Sequence, residues 1–111
     1  MVGEARVYYG SVSVAAVSYA TVTVKAAAGE KVKISALGLG IVTGTTGTRI
    51  GAKVQGADYN ASFVFASDTS PAVRTSCECY IDDTIGVDIW ALNADSASKY
   101  MYYGLNGVKI N

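Results

Sequence analysis

The chain has 111 residues, half of them apolar and 16% charged, with 9 Lys and Arg against 9 Asp and Glu and no His. That length supports one domain, residues 1–111, and the apolar share excludes a disordered tail or polyelectrolyte arm. Zero formal net charge gives nucleic acid and anionic membranes no electrostatic hold, and the missing His removes the commonest general base and metal ligand.

Val (14) and Ile (7) outnumber Leu (4) about fivefold, beside 9 Thr and 8 Tyr. β-branched and aromatic residues fit a pleated sheet, and no 3.6-residue apolar stripe competes, so the chain reads as all-β. Period-2 alternation then places the strands. Residues 6–14 set Tyr8, Val12 and Val14 against Tyr9, Ser11 and Ser13. Residues 18–26 turn Ala20, Val22 and Val24 inward and Tyr19, Thr21 and Thr23 outward. After the turn at Gly29, residues 31–36 put Val32, Ile34 and Ala36 inside. Gly38, Gly40, Gly44 and Gly47 predict a soft, broken stretch over 38–47. Residues 48–54 resume with Ile50, Ala52 and Val54 inward and Arg49 and Lys53 outward. A strand over 59–66 carries Phe63 and Phe65, and Pro71 marks a loop. Residues 73–81 and 85–92 flank a tight connection at Asp82-Asp83-Thr84. Residues 99–103 and 105–110 close the chain. Eight or nine short, evenly spaced strands predict a single-domain antiparallel β-sandwich. Val7-Tyr8-Tyr9-Gly10 is faintly echoed by Met101-Tyr102-Tyr103-Gly104, by coincidence or through edge-strand pairing.

The polar chemistry is thin. Cys77 and Cys79 are two apart, hence on one face of a strand, too far apart for an unstrained mutual disulfide. They read as buried thiols, with intersubunit disulfides as the alternative if the strand lies at an edge. Two thiolates without His fall short of a zinc site. Asp82, Asp83 and Asp88 lack calcium-loop spacing and read as turn residues. The Ser and Thr residues have no nucleophile elbow, and the glycine-rich stretch lacks the Lys of a phosphate loop. Asn60-Ala61-Ser62 matches a glycosylation sequon, which carries weight only in a secreted protein. No catalytic residue, cofactor site or metal site is expected, and the chain reads as non-enzymatic. An early acid, Glu4, and no apolar leader argue against a secretory signal, and no run is long enough to span a membrane. Strand-like segments reaching both ends read as a whole protein that stays where it is made, leaves by assembly or lysis, or has already lost a leader.

The aromatic residues say most. Tyr19, Tyr80 and Trp90 fall on outward sides, and Tyr100, Tyr102 and Tyr103 crowd the last strands alongside Tyr8 and Tyr9 in the first. Exposed rings on a weakly charged sheet are enriched at protein interfaces, and they also serve as stacking platforms for sugars. These six residues are the candidate interface or ligand-stacking set. Sparse outward charge predicts self-association.

Residues 22–36, the segment Ile50-Gly51-Ala52-Lys53-Val54-Gln55-Gly56 and the close Tyr102-Tyr103-Gly104-Leu105-Asn106-Gly107-Val108-Lys109-Ile110 resemble small β-sandwich modules of the tumour-necrosis-factor/C1q type and viral single jelly rolls. The resemblance implies a jelly-roll sandwich whose last strand inserts centrally, assembly about a symmetry axis, and a structural or attachment role on a particle. The leading expectation is a virion-surface component (capsid, turret, spike or decoration), a homo-oligomer of three or five copies that contacts other particle proteins. One alternative is a carbohydrate-binding adhesin that stacks host-surface glycan on Trp90, Tyr80 and Tyr19. Another is a pilin-like subunit completed by a neighbour's strand, which requires residues 1–14 to lie outside their own sheet.

Overall fold

A computed structural model describes residues 3–41, 47–67 and 69–111. The strands are β1 (Glu4–Val14), β2 (Ser18–Val24), β3 (Val32–Ile41), β4 (Arg49–Val54), β5 (Val64–Ser67), β6 (Ala72–Ile81), β7 (Val87–Asn93) and β8 (Lys99–Lys109). They form two four-stranded antiparallel sheets, a back sheet in the order β1-β8-β3-β6 and a front sheet in the order β2-β7-β4-β5. First pairs with last, second with seventh, third with sixth, fourth with fifth, and successive pairs alternate between sheets. That is the jelly-roll order, a long antiparallel ribbon rolled until its inner faces close on one another.

The alternation expected for β1, β2, β4, β6 and β7 is present, and their inward residues meet in one core, except Val54, which was expected inside but lies exposed at the end of β4. Val12, Val14, Val32, Ile34, Leu37 and Leu105 come from the back sheet; Ile50, Ala52, Val87, Ile89 and Ala91 come from the front. β8 lies between β1 and β3, as the resemblance implies. The echoed tyrosine motifs pair across β1 and β8, with Tyr9 opposite Gly104 and Tyr103 opposite Gly10. β1 is therefore seated in its own sheet from Glu4 to Val14, which removes the strand-donation reading.

Four expectations are corrected. β3 runs through Gly38 and Gly40 to Ile41, because two strands flank it and their ladders hold the glycines extended. A register shift between Ile34 and Ala36 turns Ala36 off the core and brings Leu37 in. Residues 42–46, with Gly44, lie outside the described set. The two predicted closing strands are one continuous β8 through Gly104, which fixes the count at eight. The strand expected over 59–66 begins instead as a 3-10 turn, Tyr59–Ala61, capped by Asp58, whose side chain accepts from the Asn60 N–H, leaving only Val64–Ser67 as strand.

Two glycines mark close backbone approach. A Cβ on Gly107 would lie 2.2 Å from the Lys33 carbonyl oxygen, and one on Gly86 2.0 Å from that of Val24.

Candidate functional site on the outer sheet faces

Register builds the outer face of the front sheet row by row. The first row is Thr23, Asp88 and Lys53, from β2, β7 and β4. Asp88 is buried here, accepting from Thr23 Oγ1 at 2.6 Å, Lys53 Nζ at 3.0 Å and the Gly56 N–H at 3.2 Å. Burial pushes its carboxyl pKa up, but these three donors outweigh burial and leave it below the ordinary value. The triad fastens three strands together, and Lys53 spends its charge within it.

The second row is Thr21, Trp90, Gly51 and Phe65. Trp90 reaches across β4 because Gly51 has no side chain; a Cβ there would stand 2.2 Å from the indole ring. The indole N–H donates to Ser62 Oγ at 2.8 Å, and Ser62 Oγ donates in turn to the Tyr59 carbonyl. Tyr59 meets the indole edge-on, with centroids 6.0 Å apart and planes at 70°. A glycine floor, a hydrogen bond and a ring wall together fix the indole.

The third row is Tyr19, Leu92, Arg49 and Ser67. Tyr19 is 80% exposed. A hollow of about 420 Å³ lies among Tyr19, Thr21, Arg49, Lys53, Tyr59 and Trp90, and a smaller one of about 170 Å³ shares Arg49, Tyr59 and Trp90 and adds Phe65. Among the described residues no carboxylate lies within ion-pair reach of Arg49, whose Nε is 3.5 Å from the Gly47 carbonyl.

The back sheet is different. Its outward rows are Tyr9, Gly104, Gly38 and Arg74, then Ser11, Tyr102, Gly40 and Ala72, with Tyr100 opposite Ser13. The middle is bare backbone, with tyrosines along the β1-β8 side. Tyr80 stands outward on the far strand beside Lys33, which pairs with Glu78 at 3.4 Å.

The six candidate rings are thus not one set. Tyr19 and Trp90 share the front face; Tyr80, Tyr100 and Tyr102 are on the back, so Tyr80 is not placed to stack a ligand with Trp90. Tyr103, although in the candidate set, points inward, packs on the core and lies over Gly10. Tyr59, Phe65 and Arg49 complete the front hollow without having been singled out. Arg49 and the ring-bearing strand were legible as outward, but only cross-strand register brings them beside Trp90.

The remaining groups are structural. Cys77 and Cys79 face inward as free, half-buried thiols on edge strand β6; burial, and then each other's proximity, holds Cys79 at about 11, so it is a thiol at neutral pH. Asp82 accepts from the Ile85 and Thr84 N–H groups at 2.7 and 2.8 Å, an Asx turn that keeps its carboxyl pKa low. No cluster of three metal-ligating side chains occurs among the described residues.

No protein-family profile and no curated protein sequence matches the chain. Solved structures do. A chain of the cyanophage Pam1 capsid asymmetric unit superposes with a TM-score of 0.61 at 18% identity, over 99% of this chain and 87% of that one. The PRD1 vertex protein P5 superposes with a TM-score of 0.52 at 18% identity, over 100% of this chain and 99% of that one. With the strand order, these likenesses place the chain in the jelly-roll β-sandwich fold found in viral capsid and vertex proteins.

Proposed function

We propose that this chain is a non-enzymatic structural component of a virion surface, a capsid, turret, spike or decoration protein of one domain that assembles as a homotrimer or homopentamer and seats against other particle proteins. The observation that carries this reading is the outer face of the back sheet: between Tyr9 and Tyr102 on one side and Arg74 on the other, the rows present only Gly38, Gly40, Gly104 and Ala72. A surface of small residues edged by tyrosine suits close docking of a second chain, whereas a monomer's surface usually interleaves charge. The two virion likenesses, alike in fold, point the same way. The non-enzymatic part is supported by the absence of His, the protonated thiols and the engagement of Asp88 in a strand-fastening triad. Sedimentation velocity tests the proposal: a trimer or pentamer at micromolar concentration is expected, and a monomer there overturns it.

A second reading, glycan binding, is favoured by one feature. Trp90 is immobilised over Gly51 beside an open hollow, the arrangement expected of a stacking platform rather than a core residue.

A further inference from the structure

We infer that the front hollow is a site for a carboxylate-bearing sugar, a uronic or sialic acid unit, with Arg49 clamping the carboxylate and Trp90 and Tyr19 receiving the ring. This rests on the glycan reading above and specifies its chemical class.

The charge balance of the hollow selects an anion. Two cations border it, but Lys53 is neutralised by Asp88 at 3.0 Å, while Arg49 meets no carboxylate among the described residues. A guanidinium uncompensated among the described residues therefore stands at a largely aromatic wall, where a carboxylate accepts two parallel N–H bonds from its fork. The same wall selects a ring. Trp90 and Tyr19 offer apolar surface for the C–H face of a pyranose. Thr21 Oγ1 and the Tyr59 hydroxyl, which have no hydrogen-bond partner among the described residues, lie at the rim for its hydroxyls. Few polar groups converging on an apolar concavity are what orients a small ligand.

Among the described residues, no side-chain carboxylate is left over to fill the place beside Arg49. The described side-chain carboxylates are already engaged: Glu4 and Glu30 with Arg6, Glu78 with Lys33, Asp88 with Lys53, Asp95 with Lys99, and Asp58, Asp82 and Asp83 with backbone N–H groups. Among them, a second copy brings no free side-chain carboxylate to Arg49.

Trp90 is the chain's only tryptophan, so its fluorescence reads this hollow directly. The assembled protein is titrated with oligogalacturonate, sialyllactose, the methyl esters of both, and lactose. Expected is a fluorescence change with the free acids alone, at least tenfold weaker binding after esterification or in Arg49→Gln, and partial retention in Arg49→Lys. Arg49→Gln is checked by circular dichroism for an unchanged fold. Equal response to acids, esters and lactose overturns the acidic class while the glycan reading stands. Acid binding that survives Arg49→Gln overturns the assigned clamp. No response to any sugar overturns both readings. A fall in native mass in Arg49→Gln, without sugar binding in the parent, makes this face a subunit contact and overturns the inference.

Discussion

The two sheets of this sandwich share one core and one ribbon of chain, yet their outer faces are built differently. The front face is relief: an indole laid over a glycine, a tyrosine wall, a fastened Asp88–Lys53 pair and an arginine that meets no carboxylate among the described residues. The back face is an open depression of about 370 Å³ floored by the paired Gly38 and Gly104 and edged by Val7, Ala36, Arg74 and Asn106, with no ring laid across it. Glycine serves opposite ends in the two places. Single on the front, it makes room for a ring from its own chain; clustered on the back, it leaves the backbone bare. Exposed aromatics therefore do not have one meaning here. In the readings proposed above, the fixed indole of the front marks a ligand surface and the glycine-floored back a docking surface.

The sharpest way to break this comparison is to charge each face in turn. Gly38→Glu on the back, where a side chain meets nothing closer than 3.6 Å, is expected to fold and to raise the dissociation constant of the assembly at least 100-fold, read by light scattering. Thr21→Glu on the front is expected to leave native mass unchanged. The opposite pattern would exchange the roles of the two faces.

The next largest effect concerns the triad. Asp88→Asn strands the Lys53 ammonium, whose side chain is only 12% exposed, and is expected to cost about 3 kcal/mol in urea unfolding. The carboxyls of Asp88, Asp82 and Glu30 all sit below their ordinary values when folded. Depressed folded values add stability above the unfolded pKa and lose it as pH falls through the folded one. Thermal stability is therefore expected to decline on acidification below about pH 4, less steeply in Asp88→Asn.

A smaller effect tests the indole's seat. Gly51→Ala is expected to lift Trp90 from β4, break its bond to Ser62, red-shift its emission and cost about 1–2 kcal/mol, with assembly intact. Smallest is Tyr8→Phe. The Tyr8 hydroxyl is buried without a hydrogen-bond partner among the described residues, so its removal is expected to raise stability by about 1 kcal/mol in the same urea assay.

Strand identity was readable residue by residue wherever one side of the strand faces the core. Val12, Val14, Val22, Val24, Ile50, Ala52 and Ile81 all alternate as their sequence predicts. Legibility failed where local signals and tertiary pairing disagree. Gly38 and Gly40 look like breakers, but two flanking ladders hold β3 extended to Ile41. Ala36 loses its inward place to a register shift that has no signature in the sequence. Tyr103 looks like another surface ring until its opposition to Gly10 gives it space on the core.

What the amino-acid order determined by itself is the β class, the alternation and hence the two-sidedness of each strand, because side-chain direction along a strand is a local property with period two. What only the tertiary structure decided is company. Arg49, Tyr59 and Trp90 are neighbours, and Trp90 and Tyr80 are not, because pairing between distant segments chooses the sheet each strand joins. The jelly-roll ribbon sends its successive strand pairs to alternate sheets, so the residues of one face come together from segments far apart.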